Sequence, residues 1–278
     1  MSSRIGLVTD SSSQITAELV ELFDVEVVPL TVTIDGVDHL EGVDLDADGF
    51  YARFEAGRRP EVATSQPSPG RFADAYQRLA DDGCDQIVSL HISESMSGTV
   101  GSATIAARSA TVPVAVIDTG SASFGVAVCV WAAGVAIARG ADADDVARRV
   151  EQLVPRIRTA FMVGVPLLIE RSGRAVDTDT DGIPVLGMTD GKLDVIERVT
   201  TVDDTIDVMA TYVTDQGDGI TVAIGLADAP SRPLADKLST ALADLDVVDA
   251  VTHYRIGPSV GAHTGPGTFG LFVFPTIK

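Results

Sequence analysis

Residues 4–13 read Arg-Ile-Gly-Leu-Val-Thr-Asp-Ser-Ser-Ser: an apolar run, Arg4–Val8, stops in the polar cluster Thr9-Asp10-Ser11-Ser12-Ser13, and helix-spaced apolar residues follow over Ile15–Phe23. The same order returns twice. Gln86–His91 (QIVSLH) closes into Ser93–Thr99 (SESMSGT) with a helical pattern over Val100–Ala110. Val114–Ile117 closes into Asp118-Thr119-Gly120-Ser121 ahead of a long apolar helix from Phe124. Apolar strand, polar turn and helix in repetition make βαβ units, so this half is expected to be an α/β fold, a mostly parallel sheet flanked by helices. Ligands of such sheets bind beyond the carboxyl ends of the strands. Here those ends are rich in hydroxyls and poor in titratable pairs.

Working outward, Val25–Val32 (VEVVPLTV) reads as one strand and Ala47–Glu55 as a short helix. Thr64–Pro69 (TSQPSP) precedes a helix over Gly70–Ala80. Ser68 is a suitable N-cap and Pro69 a suitable first helical residue, because proline has no N–H to leave unpaired in the first turn. After a helix over Ala143–Val154 the rhythm changes. Strands are expected at Thr159–Val165, Leu193–Val199, Gly219–Leu226, Val247–Ile256 and Gly270–Pro275, with helices at Thr205–Val213 and Arg232–Asp244. This reads as a second α/β domain with a mixed or antiparallel sheet, residues 1–157 forming the first domain and 158–278 the second.

The chain has 278 residues, room for one large domain or two modest ones at ~100–200 residues each. Its 45% hydrophobic and 22% charged residues are an ordinary globular balance. The formal net charge of −20, with lysines only at Lys192, Lys237 and Lys278, argues against nucleic-acid binding, which needs clustered basic residues. The N-terminus lacks the basic-then-apolar pattern of a signal peptide. The longest apolar stretch, Phe124–Ala138, falls short of the ~20 residues that span a bilayer. Cys84 and Cys129 have neither redox nor metal spacing. A soluble cytoplasmic protein with no transmembrane segment is expected.

Gly265–Gly270 matches G-x-G-x-x-G, but Leu271–Phe274 after it is strand-like, whereas a dinucleotide site needs a helix there. There is no phosphate-binding G-x-x-x-x-G-K-[ST]. The four histidines, His39, His91, His253 and His263, do not fall at metal-ligand spacings, and His91 and His253, each inside a strand-like run, read as structural. What remains is distributed: Thr9–Ser11, Thr64–Ser68, Ser95–Thr99 and His263–Gly267. Caps and turns account for many such residues, Ser11, Ser13 and Ser68 among them. Yet several helix N-termini with free hydroxyls at one sheet edge also suit an anion.

The order TDSSS (9–13), VPLTV (28–32), TSQPSPGRF (64–72), SESMSGT (93–99), IDTGS (117–121), Gly173-Arg174 and HTGPG (263–267) resembles the DegV family of bacterial fatty-acid-binding proteins from near the first residue to near the last. The resemblance implies a two-domain protein holding one long-chain fatty acid between its domains. It is also similar to the acyl-carrier subunit of fatty acid kinase. In that system a separate ATP-dependent kinase phosphorylates the lipid carboxylate, and the acyl phosphate enters phospholipid synthesis. By motif match Thr64, Ser97 and His263 would bind the carboxylate, with Gly98 and Thr99 offering N–H groups at a helix start. Thr9, Asp10 and Ser121 complete the candidate ligand set. No cofactor or metal is implied, and transient membrane contact would serve lipid exchange.

The chemistry agrees. Burying about fifteen methylenes at ~0.8 kcal/mol each offers roughly 12 kcal/mol of gross driving force. The carboxylate beside them needs hydrogen bonds to offset its desolvation, and hydroxyls, amides and a protonated His263 would supply them. The helix from Phe124 and the strand Phe161–Leu168 are candidates to line the tail. Two departures bear on the kinase. The family's Gly-Gly-Arg is Arg171-Ser172-Gly173-Arg174 here, and an arginine usual after Asp190-Gly191-Lys192 is missing. Arg171, Arg174 and Arg198 are therefore the candidates for docking. The competing reading is a serine hydrolase or acyltransferase with Ser97 as nucleophile, His263 as base and Asp10 or Asp118 as orienter. A regulatory lipid sensor is a third.

Overall fold

A computed structural model describes residues 4–165, 182–189 and 192–278. The first half runs β1 (Ile5–Asp10), a 3-10 turn at Ser11–Ser13, α1 (Ala17–Phe23), β2 (Val25–Val28), β3 (Thr31–Ile34), β4 (Val37–Leu40), α2 (Ala47–Tyr51), β5 (Val62–Ser65), α3 (Pro69–Asp81), β6 (Gln86–His91), α4 (Thr99–Ala107), β7 (Val114–Asp118), α5 (Phe124–Ala138) and α6 (Ala143–Leu153). The second half runs β8 (Arg158–Met162), β9 (Ile183–Thr189), β10 (Lys192–Val199), α7 (Asp204–Thr214), β11 (Ile220–Leu226), α8 (Arg232–Ala243), β12 (Val248–Arg255), α9 (Pro258–Thr264) and β13 (Phe269–Pro275).

The expected parallel sheet is present, with order β2-β1-β6-β7 and every pairing parallel. β1 and β6 are buried on both faces, as a sheet covered on both sides by helices requires. Val8 and Ile87 pack against Phe72, Ala75, Tyr76 and Ala103 of α3 and α4. Leu7, Val88 and Leu90 face the opposite layer, where Leu19 of α1 and Ala127 and Val130 of α5 lie. Ser68 caps α3 as expected, its hydroxyl accepting from the Arg71 amide.

The Val25–Val32 run is not one strand. Pro29 has no N–H to give a ladder, and the next amide, that of Leu30, donates to Ser11 Oγ at 3.0 Å. The chain therefore leaves the parallel sheet after Val28 and begins a separate antiparallel sheet, order β4-β3-β5, which the sequence reading lacked. Also absent from that reading were β9, whose IPVLGMT carries both Pro and Gly, and α9, which carries His263.

The second sheet is mixed, order β10-β9-β8-β13-β11-β12, antiparallel except for β11 with β12. α7 and α8 bury one face through Ile206, Met209, Leu238 and Leu242. α5 joins the two sheets. Its buried residues share one core with Leu7 and Val88 on one side and Ala223, Phe272 and Phe274 on the other, and Trp131 meets Phe274 edge-on at 5.9 Å.

Candidate functional site

A cavity of about 600 Å³ lies between the carboxyl edge of the parallel sheet and the mixed sheet. The loops after β1, β6 and β7 reach it with Ser12, with Ile92, Met96, Ser97 and Gly98, and with Ala122 and Ser123, while β8, β12 and β13 contribute Thr159, Phe161, Tyr254 and Gly270–Phe272. This is the strand-end position expected of a doubly covered sheet.

Four of the sequence-derived candidates line it: Thr64, Ser97, Gly98 and His263. They come from three separate elements. α9 packs on β3 and β5, which sets His263 Nε2 3.2 Å from Thr64 Oγ1. Ser97 closes the turn before α4, its amide donating to the Ser93 carbonyl and its hydroxyl 2.8 Å from Thr99 Oγ1. Thr99 is fully buried behind Ser97 and outside the lining. Among the described residues no side chain caps α4 at Gly98, which leaves its first amides available to a ligand. Thr64, Ser97 and His263 are each half-buried.

The structure does not bring Thr9, Asp10 and Ser121 to the cavity lining. Thr9 turns its hydroxyl to the Leu90 carbonyl at 2.8 Å. Asp10 is wholly buried, accepting from the Ser12 amide and hydroxyl and standing 2.8 Å from His91 Nδ1. His91 in turn lies 2.6 Å from Ser89 Oγ, so this histidine is a core residue as read from its strand setting. The Ser121 carbonyl receives the Ser93 amide, tying the β6 and β7 loops together. Of the docking candidates, Arg198 lies half-buried on β10, while Arg171 and Arg174 are outside the described residues.

The hydrolase arrangement does not form as read. His263 Nε2 meets Thr64, Ser97 Oγ meets Thr99, and Asp10 is taken by His91 and Ser12. Asp118 accepts from the Glu94 and Gly120 amides, a turn-stabilising role. The tail-lining expectation needs a similar correction. α5 lies in the core between the sheets and puts none of its residues in the lining, where only Ala122 and Ser123 ahead of it reach. Phe161 does line the cavity, and residues 166–168 fall outside the described set.

Sequence reasoning missed Gln66, Ser12, Ser123 and Tyr254, all in the lining. Gln66 sits inside the TSQPS string, and its amide lies so close to Gly98 that a β-carbon there would overlap it. No local pattern marks Tyr254, which reaches the cavity only because β12 joins the mixed sheet.

The helix carrying His263 is held from its start. Gly257 donates to Gln14 Oε1, the Ser259 amide donates to Glu41 Oε1 at 2.9 Å, and Ser11 Oγ donates to Glu41 Oε2 at 2.5 Å. Glu41 is almost wholly buried, and that burial raises its carboxyl above the usual range, the hydrogen bonds from Ser11, Ser259 and Gln14 offsetting only part of the shift. A carboxyl with a raised folded-state pKa gives its full stability below its unfolded value and loses it as pH rises through the folded value. Glu41→Gln is thus expected to gain stability relative to the parent as pH rises from 4 to 8. Urea midpoints of both proteins across that range check it, and a pH-independent difference would refute it.

The loop after α9 is fixed just as closely. Gly164 donates to Thr268 Oγ1 at 3.0 Å and Val165 to the Thr264 carbonyl at 3.1 Å, with the backbones so near that a β-carbon on Gly164 would overlap the Pro266 carbonyl.

Comparison with known proteins decides the family. The profile described as "Uncharacterised protein, DegV family" matches residues 4–276. This chain belongs to the DegV family. A DegV domain-containing protein of Streptomyces coelicolor is 33% identical over 286 residues, covering 98% of this chain and 99% of the relative. One from Mycobacterium tuberculosis is 33% identical over 277 residues, covering 97% and 96%. Among solved structures, a fatty-acid-binding DegV family protein from Thermus thermophilus superposes with a TM-score of 0.88 at 28% identity, over 98% of this chain and 100% of that one. A stearic acid-binding protein from Eubacterium ventriosum gives 0.87 at 25% identity, over 98% of each chain. Among the described residues of this DegV protein no helix is long and apolar enough to cross a membrane.

Proposed function

We propose that this DegV protein binds one long-chain fatty acid in the cavity and presents its carboxylate to a separate ATP-dependent kinase. The observation that carries the reading is the composition of the cavity. A cluster of hydroxyls, an imidazole and open helix amides at Thr64, Ser97, Gly98 and His263 adjoins a wall of Phe161, Met188, Leu193, Leu271 and Phe272. Such a site offers hydrogen bonds to a carboxylate and an apolar path to its chain, the two requirements of an amphipathic acid. The binding reported for the Thermus and Eubacterium relatives supports it.

The division of labour follows from the chemistry. Phosphoryl transfer needs groups that cradle a nucleotide triphosphate, and the sequence has no such loop. The chain therefore shields the lipid and holds its headgroup, half-exposed, where a partner can reach it. We assign docking of that partner to Arg171, Arg174 and Arg198, and take residues 1–157 and 158–278 as two domains enclosing the lipid. Organic extraction of the purified protein followed by mass spectrometry tests the reading: one unreacted long-chain fatty acid per chain is expected. An empty protein that takes up no added fatty acid would overturn it.

A further inference from the structure

We infer that Gln66 is a further headgroup residue, its side-chain amide donating to the bound carboxylate from a seat on Gly98; the inference rests on the fatty-acid reading above. The backbone at Gln66 is fixed from both sides. Thr64 and Ser65 before it pair with Val32 and Thr31 of β3, and Pro67 after it is buried. A residue that precedes proline is held extended, which sets the direction in which the side chain leaves the backbone. The carboxamide lies on Gly98: a β-carbon built there would come within 2.6 Å of Gln66 Oε1 and nearer still to Nε2. Gly98 itself holds φ −73° and ψ 10°, a conformation open to residues with side chains, so its backbone makes no demand for glycine. The space a side chain would need there is the space the Gln66 amide fills.

What the carboxamide can do follows from its surroundings. Gly98 opens α4, and Thr64, Ser97 and His263 stand with it in the cavity wall. Among the described residues the Gln66 side-chain amide has no hydrogen-bond partner, so its two N–H groups and its carbonyl are left for a ligand or for water. A carboxylate accepts through both oxygens and takes donors from several sides.

Charge points the same way. The chain carries 40 Asp and Glu residues and a net charge of −20, yet among the described residues no aspartate or glutamate lines the cavity. An acidic side chain within reach of the headgroup would repel its carboxylate and push it toward the neutral acid. Glutamine keeps the length and shape of glutamate while replacing the charge with two donors. Position 66 therefore favours the anion over an uncharged head on the same chain.

The test is a displacement titration of palmitate and 1-hexadecanol against the full chain, Gln66→Ala, Gln66→Glu, Gly98→Ala and the double variant Gln66→Ala/Gly98→Ala, with circular dichroism to verify folding. Gln66→Ala is expected to weaken palmitate by about three- to tenfold, the size of one solvent-accessible hydrogen bond. Gln66→Glu is expected to weaken it further, with hexadecanol moving less than about twofold in either variant. Gly98→Ala displaces the flexible end of Gln66 and is expected to cost palmitate about as much as Gln66→Ala. With both changes present the loss should stay that of one, because they remove the same interaction. Palmitate held by Gln66→Glu within about twofold of the parent, equal weakening of palmitate and hexadecanol, or losses that multiply in the double variant would each overturn the inference and leave the proposed function standing. A parent that takes up no palmitate would overturn both.

Discussion

His263→Ala is expected to weaken long-chain fatty acid binding by about ten- to hundredfold, the span of a charge-assisted hydrogen bond worth ~1.5–3 kcal/mol. The imidazole is half-buried and its neighbour Thr64 is exposed enough to be rehydrated, so removing the ring should leave the fold intact. Ser97→Ala removes a neutral hydroxyl whose partner Thr99 stays in place, and a loss of about three- to tenfold is expected. Displacement of a fluorescent fatty acid, with thermal melts of each variant, measures both. Undiminished lipid occupancy in both variants would remove the carboxylate role from these residues. The Thr64–His263 contact joins β5 to α9, so the double variant Thr64→Ala/His263→Ala should lose less than the two single losses added together.

Gly164→Ala is expected to have the larger effect on the fold. The added β-carbon would meet the Pro266 carbonyl, in a loop held next door, where the Thr264 carbonyl accepts from the Val165 amide and the Thr264 and Gly265 carbonyls accept from the Thr268 hydroxyl. Backbone cannot rotate aside as a side chain does. Gly134→Ala makes a useful contrast, because there the obstacle is the Phe23 ring, a partly exposed side chain able to move. Overpacking against rigid neighbours costs up to about 3 kcal/mol or more, equivalent to a fall in melting temperature on the order of 10 °C for a chain of this size. Fatty acid binding should fall with it, since the displaced loop directly follows the last turn of α9, which carries His263. A Gly164→Ala protein that melts with the parent and binds lipid normally would contradict the close approach.

Much of the first half was legible because its signals are local. QIVSLH is apolar on both faces and ends in hydroxyls, and the strand Gln86–His91 has the bounds the sequence indicates. Ser68-Pro69 announces the start of α3 through chemistry contained in two residues. The errors fall where a distant residue decides. Val25–Val32 has the composition of one strand, but Ser11 takes the Leu30 amide and redirects the chain. His263 reads as part of a turn, and becomes helical because Glu41 and Gln14 receive the backbone N–H groups at the start of α9 from more than two hundred residues away.

The candidate site divides in the same way. Thr64, Ser97, Gly98 and His263 stand in strings distinctive enough to be named in advance, whereas Tyr254 and Ser123 carry no local mark. Thr9 and Asp10 belong to a polar string as suggestive as any of these, yet their side chains turn inward to Leu90 and His91.

By itself the sequence determined the βαβ rhythm, the family and the chemistry available at the strand ends, because apolar periodicity, caps and motif strings are properties of neighbouring residues. Only the tertiary structure decided which of those hydroxyls face a cavity and which face the core. That choice depends on the register of the mixed sheet and on buried contacts between residues far apart in the chain, and no local pattern encodes it.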